Sequence, residues 1–312
     1  RLIREAVVAR TGQRFLAGLN NDEAMFRYLM DNAIASKAAL NLSVGISLTA
    51  AQVAALTHDL VWLEEHDVNG AKVLVPVLYL AQAEGRLAPN GALIQGRDVA
   101  LISGGDLRNQ GTLRASNNLS AKAAGSIGNR GLIAAGNRLD LLATDSIRNA
   151  QGGIIAGRDV SLTTVNGDVL NERTVTRHDV QVGNRRSIQD YVDSAARIEA
   201  ANSVGSSAGR DVANLGGVLE SRGDLSLSAG RDVNIASVEQ RRLQTHGSRY
   251  RDEHVTQLGA QVSAGRDIEI SAGRDLTAVA SQIEARRDIS LMAGQDVTLA
   301  AAANEDHFYS KS

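Results

Sequence analysis

Cysteine is absent from the 312 residues, proline occurs twice, and rings are scarce, with one Trp, five Tyr and three Phe. Without cysteine there are no disulfides and no thiolate metal sites, and the chain suits a protein that stays unfolded until it has crossed a membrane. Near-absence of proline favours continuous hydrogen-bonded sheet, where each proline would delete a ladder bond. No run of about 18 apolar residues exists, so no segment spans a bilayer as a helix. An excess of one charge is also lacking: 33 basic against 35 acidic residues gives a net charge of -2. That balance leaves no electrostatic footprint for nucleic acid, which is excluded as an expected partner. The chain starts at Arg1 without methionine or signal peptide and stops in mid-pattern, which reads as an excised piece of something longer.

What is present is a repeat. A tripeptide of Gly-Arg-Asp type recurs, and its third residue falls at Asp98, Asp106, Asn118, Ser126, Arg138, Ser146, Asp159 and Asp168, in steps of about 8, 12, 8, 12, 8, 13 and 9. A short and a long step sum to about 20 to 21 residues, a period in the solenoid range. The phase returns at Asp211, Asp224 and Asp232, and again at Asp267, Asp275, Asp288 and Asp296.

Three apolar columns run with the period: Leu107, Ile127, Ile147 and Val169; Leu113, Ile133 and Ile154; Val99, Leu119, Leu139 and Val160. Within each copy the apolar residues alternate, as strands require. A polar ladder of Asn109, Asn129 and Asn149, continued at Asn171 and Asn214, is followed by glycines at Gly111, Gly131, Gly153 and Gly216. Asn and Gly tolerate left-handed backbone, and stacked amides bond from coil to coil, so these positions read as corners. The fold expected is an all-β, right-handed parallel β-helix over 91–312, with a core of aliphatic columns too narrow for rings.

Residues 1–90 lack the repeat. Apolar positions from Asp22 to Leu40 follow helical spacing behind an N-cap at Asn21 or Asp22, and Thr49-Ala-Ala-Gln52 reads as a capping box opening a helix towards Leu56. Asp59–Val68 and Ala71–Leu80 are β-rich runs joined by Asn69-Gly70, a strong hairpin signal, and Pro76 makes the second run an edge. The expectation is a helical piece plus a hairpin that caps the first coil, since solenoids must cover their open ends.

Leu56-Thr-His-Asp-Leu-Val-Trp-Leu63, then Val73-Leu-Val-Pro-Val-Leu-Tyr-Leu80, the repeats, and the terminal Tyr309-Ser-Lys-Ser312 together resemble the large two-partner-secreted exoproteins, the filamentous haemagglutinins and the effectors of contact-dependent growth inhibition. Arg14-Phe-Leu-Ala-Gly18 and Asp22-Glu-Ala24 resemble the segment those proteins carry before their second repeat block. The resemblance implies a monomeric filament, secreted to the bacterial cell surface. Its partners would be an outer-membrane transporter acting on a region outside this chain, and a target-cell receptor or outer membrane. It also implies a role in adhesion or in carrying a toxin into target cells. Alternatives from other classes are a β-helical carbohydrate-active enzyme and the passenger domain of an autotransporter.

Two stretches interrupt the phase, near 172–207 and 239–258, both rich in Arg, His, Gln and Glu. They read as extruded loops or hairpins, and their Tyr191 and Tyr250 mark them as candidate binding elements, because loops on rigid scaffolds carry function. Arg222-Gly223-Asp224 spells the integrin tripeptide, but Asp224 sits on the repeat phase, so the triplet reads most simply as one more turn. The recurrent acids, among them Asp98, Asp159, Asp232 and Asp275, are expected to bond backbone amides or the adjacent Arg. An enzyme would instead need three or more carboxylates on one face outside that phase. The histidines are scattered and none pair at metal-ligand spacing on a common element; His246 and His254 could approach on a hairpin, but zinc needs three or four convergent ligands. No catalytic, cofactor or metal residue is assigned.

Overall fold

The computed structural model describes residues 22–46, 48, 52, 60–68, 70–79 and 92–311. Helix α1 (Asp22–Ala39) turns Leu29 and Ala33 inward and leaves Phe26 and Ile34 exposed. Strands β1 (Leu60–Val68) and β2 (Ala71–Tyr79) pair antiparallel from Leu60↔Tyr79 to Val68↔Ala71, with Gly70 at φ +84° in the turn. Ala33, Leu42, Leu48, Leu60 and Trp62 form a small core between helix and hairpin, and the indole N–H of Trp62 donates to the Ser43 carbonyl at 3.0 Å. The expected N-cap at Asn21 and the second helix from Thr49 lie outside the described residues, apart from Gln52, whose amide donates to the Leu40 carbonyl at 2.9 Å.

From Leu93 the chain winds through eight coils, each contributing one strand to an eight-stranded parallel sheet. Coil 1 is β3 (Leu93–Gly96), β4 (Val99–Ser103) and β5 (Leu107–Asn109); coil 2 is β6 (Thr112–Ala115), β7 (Leu119–Ala123) and β8 (Ile127–Asn129). Coil 3 is β9 (Leu132–Ala135), β10 (Arg138–Ala143) and β11 (Ile147–Asn149). In coil 4, β12 (Ile154–Thr164) runs round the first corner before β13 (Val169–Glu172). The chain then leaves the rod as β14 (Val175–Val182) and β15 (Arg185–Val192), and returns in coil 5 as β16 (Arg197–Ala208) and β17 (Val212–Leu215).

Coil 6 is β18 (Val218–Ser221), β19 (Asp224–Ala229) and β20 (Val233–Ala236), followed by a second excursion, β21 (Val238–His246) and β22 (Tyr250–Leu258). Coil 7 is β23 (Gln261–Ala264), β24 (Ile268–Ala272) and β25 (Leu276–Val279); coil 8 is β26 (Gln282–Ala285), β27 (Ile289–Ala293) and β28 (Val297–Ala300). Strand β29 (Glu305–Ser310) ends the described chain. The result is a β-solenoid, and the expected all-β parallel architecture is the observed one.

The core is a set of aliphatic columns. Leu107, Ile127, Ile147, Val169, Val212, Val233 and Leu276 follow one another in register on the third face, and Val99, Leu119, Leu139, Val160, Val204, Leu225 and Ile268 on the second. Leu119, Ile127, Leu139 and Ile147 are essentially inaccessible. One column differs from the sequence reading. Ile133 is paired with Ile155, not Ile154, because Gln151 (φ +51°) and Gly152 (φ +74°) add a turn that makes this coil two residues longer than the one before it. Ile155 is the buried partner and Ile154 faces outward.

The expected cap on coil 1 is not what the described residues form. Strand β2 pairs with β1, β1 adds a single parallel bridge between Glu64 and Gly45, and β3 pairs only with β6, leaving Leu93 and Ile94 about half exposed. The hairpin instead reaches the rod's side, where the carboxylate of Glu64 accepts from Arg222 Nη1 of coil 6 at 3.1 Å. The first interruption is also narrower than 172–207, since Arg197–Ala208 is a rod strand pairing with β12 and β18.

Candidate functional site: inter-coil clamps and a lateral sheet

The Gly-Arg-Asp tripeptide works between coils. Each acid accepts the backbone N–H of its equivalent one coil on: Asp168 Oδ1 from Asp211 (3.0 Å), Asp211 from Asp232 (3.0 Å), Asp232 from Asp275 (3.1 Å) and Asp275 from Asp296 (3.1 Å). Each arginine reaches back to the acid of the coil before it, as in Arg210–Asp168, Arg231–Asp211 and Arg274–Asp232. The glycine is required because its carbon lies against the preceding coil; a Cβ at Gly209 would collide with the Val165 carbonyl, and one at Gly230 with that of Gly209. Hydrogen bonds from Arg210 hold the Asp168 carboxyl below the ordinary carboxylate range, and those from Arg274 do the same for Asp232. Of the two partners the sequence suggested, backbone amides and the adjacent Arg, the amides are those of the next coil, and the arginine is the next coil's, not the adjacent one.

Other members of the phase make the same bond with other side chains. Asp98 accepts from Asn117 Nδ2 (2.9 Å) and the Asn118 amide (3.2 Å), and Asp159 accepts from Asn202 Nδ2 and Ser203 Oγ, both at 2.7 Å. The buried amides form a continuous ladder, Asn109 to Asn129 (2.8 Å), Asn129 to Asn149 (2.9 Å), Asn149 to Asn171 (2.9 Å) and Asn171 to Asn214 (3.0 Å). None of these asparagines has a positive φ. They are the ends of third-face strands pointing inward, and Gly111 and Gly131 follow because a Cβ would strike the carbonyls of Ala92 and Gly111. The ladder stops at Asn214, whose register partner in coil 6 is Ile235.

The Arg222-Gly223-Asp224 triplet is one of these clamps. Arg222 is mostly buried against Glu64, a Cβ on Gly223 would meet the Asn202 carbonyl, and Asp224 Oδ1 accepts the Asp267 amide at 3.1 Å. Its three residues lie flat in the stack instead of on a projecting loop.

The two excursions do not remain separate. Strands β14, β15, β21, β22 and β29 form one five-stranded antiparallel sheet, in that order, through registers such as Ile188↔Leu243, Leu243↔Glu253 and Glu253↔His307. One face is covered and carries Ile188, Leu243 and Val255 among ion pairs. There Asp190, fully buried, accepts from Arg177 Nε (2.8 Å) and Nη2 (3.0 Å) and from the Arg241 amide (2.7 Å). The Arg177 bonds hold Asp190 below its ordinary range, as Arg241 does for Glu253.

Tyr191 and Tyr250 lie on the opposite, exposed face, each in an edge-to-face ring pair, Tyr191 with His178 (centroids 5.0 Å) and Tyr250 with Phe308 (5.9 Å). His246 and His254, on strands of one hairpin, are kept apart by register, opposite Tyr250 and Arg242 respectively. His254 instead sits between Asp252 and Asp306. Among the described residues no group of three His, Cys, Asp or Glu converges to hold a metal. Off the repeat phase, Glu199 and Glu220 are in register on one face, but Arg197 bonds Glu199 and Ser263 follows Glu220, so no carboxylate triad arises. The sequence signal for the lateral sheet was slight, since the two excursions begin 63 residues apart, at Val175 and Val238, with no shared motif.

A stack of near-identical coils, clamped by a polar tripeptide and carrying a sheet on its flank, defines a repeat β-solenoid. Haemagglutinin-repeat family patterns match residues 67–143, 114–173 and 179–246, and a second hemagglutinin-repeat pattern matches 243–312. The chain is 34% identical to a tRNA nuclease CdiA of Yersinia mollaretii over 90% of its own length and 10% of that protein. It is 36% identical to a deoxyribonuclease CdiA of Dickeya dadantii (90% and 9%) and 32% identical to a toxin CdiA of Escherichia coli (100% and 12%). It therefore belongs to the haemagglutinin-repeat region of the CdiA-type exoproteins, and spans about a tenth of the curated relatives it matches. No solved structure matches it.

Proposed function

We propose that this solenoid is an internal shaft segment of a secreted cell-surface exoprotein that delivers a toxin into target cells in contact-dependent growth inhibition. The observation that carries the reading is the run of eight coils whose clamps pass each load from one coil to the next without a break, in a chain whose relatives are named as toxins. On this reading the segment is not itself an enzyme, because the phase acids Asp98, Asp159, Asp168, Asp211, Asp224, Asp232 and Asp275 are spent on inter-coil bonds. The nuclease activities in the relatives' names would belong to a domain outside it. Secretion through an outer-membrane partner would likewise act on a region outside it, and contact with the target-cell surface would follow from the filament's reach.

The test is an in-frame deletion of residues 92–312 from the parent exoprotein, scoring attachment to target cells and killing in one assay. Attachment kept with killing lost assigns the rod to toxin passage. Attachment lost makes it an adhesive segment or a spacer needed for reach, and both kept refutes the proposal.

A further inference from the structure

Rings and imidazoles are unevenly placed. Tyr191, Tyr250, Phe308 and Tyr309, four of nine aromatic residues, and His178, His246, His254 and His307, four of six histidines, lie in the lateral sheet, whereas the eight coils contain neither type. A narrow solenoid interior excludes rings, so their concentration on an exposed sheet calls for a different reason.

The exposed face has a consistent chemistry. Its central floor is the β15–β21 pair, where Arg185 lies opposite His246, Ser187 opposite Gln244 and Gln189 opposite Arg242. These six side chains are all hydrogen-bonding and include no carboxylate; the acids of the same face, Asp252 opposite Gln244 and Asp306 opposite His254, are both held by His254. On the covered face Arg177, Arg186, Arg241 and Arg251 are each matched with an acid, but Arg185 and Arg242 make no ion pair among the described residues. The floor is bordered by the two ring pairs, with Tyr191 59% and Phe308 71% exposed.

That pattern selects one kind of occupant. Neighbouring strands set donors about 4.8 Å apart, close to the rise of one sugar ring along an extended chain. Guanidinium groups take carboxylates through paired N–H donors, amides and hydroxyls take sugar hydroxyls, and rings take the apolar C–H faces. A lipid surface would require an apolar face, which Ser187, Gln189 and Gln244 deny. A peptide would add to a sheet edge by backbone bonds and not lie across a face.

We propose that the exposed face of the lateral sheet binds an acidic glycan, with Arg185 and Arg242 on its carboxylates, Ser187, Gln189 and Gln244 on its hydroxyls, and Tyr191 and Phe308 against its rings. This stands apart from the toxin-delivery reading, since it concerns binding by the isolated 312-residue chain.

The experiment is calorimetric titration of the chain with oligogalacturonates, with uncharged maltooligosaccharides of matched length, and with phosphatidylglycerol vesicles. The oligogalacturonate should bind, and more weakly as salt rises. Arg185→Gln with Arg242→Gln should weaken it at least about tenfold, the scale of one lost charge-assisted bond. Tyr191→Ala with Phe308→Ala should weaken it while keeping the salt dependence, and Arg286→Gln in the rod should bind like the parent. Circular dichroism confirms that each variant keeps its strands. Equal affinity for the uncharged chains, unchanged binding by the double arginine variant, or vesicle partitioning in place of oligogalacturonate binding overturns the proposal.

Discussion

Replacing Asn149 by alanine tests the amide ladder where it is most constrained. The side chain is wholly inaccessible and takes part in four hydrogen bonds, accepting from Asn129 Nδ2 (2.9 Å) and donating to Asn171 Oδ1 (2.9 Å), the Gly153 carbonyl (2.9 Å) and the Arg197 carbonyl (3.1 Å). The two amide hydrogens are shared among the three acceptors, so the set amounts to about three full bonds; at about 1 kcal/mol net for each, the loss is about 3 kcal/mol, raised further by the small void left in a close-packed interior. Asn214 ends the ladder and takes part in three, from Asn171 (3.0 Å) and to the Gly217 (3.2 Å) and Gln261 (3.0 Å) carbonyls. Asn214→Ala should therefore cost about as much as Asn149→Ala, about 3 kcal/mol. Asn149→Asp keeps the shape but turns the donor into an acceptor facing three oxygens, so it should cost more than alanine. Because stacked repeats open locally, native-state hydrogen exchange of the amides from Ile147 to Ile155 should be read beside the urea midpoint. An Asn149→Ala cost below about 1 kcal/mol would refute the ladder as a stabilising element.

Gly209→Ala should lower stability by about 2 kcal/mol, because its Cβ meets the Val165 carbonyl, whereas Gly205→Ala, with nothing within 4 Å, should leave it unchanged or raise it by about 0.5 kcal/mol; urea denaturation of the pair decides. Ser206→Ala should stabilise by about 1 kcal/mol, since the buried hydroxyl has no partner and its column neighbours are Leu162 and Leu227; a drop in thermal midpoint would contradict this. Asp168, Asp190 and Asp232 titrate lower folded than the unfolded value of about 3.9, so their contribution is present above that pH and lost as pH falls through the folded values. The urea midpoint should be flat from about pH 7 to 5 and fall below about pH 4; a midpoint rising on acidification would show that these pairs do not support the fold.

The sequence by itself determined the period, the columns and the ladder. Leu107, Ile127 and Ile147, or Asn109, Asn129 and Asn149, are in register because each coil contacts only its neighbours, so the constraint repeats at fixed spacing and is written into the chain. It also determined helix α1 and the β1–β2 hairpin, whose signals are local. Where two residues were inserted at Gln151 and Gly152, reading the column by number alone chose Ile154 over Ile155. What tertiary structure alone decided is how distant pieces meet. The Gly-Arg-Asp arginine pairs back across a coil because stacking brings Asp168 to Arg210, 42 residues on. The hairpin's Glu64 meets Arg222, not coil 1, and two excursions with no motif in common merge with β29 into one sheet. Each of these contacts depends on where the rod releases the chain at its corners, a geometric outcome of the whole stack that leaves no periodic mark in the residues themselves.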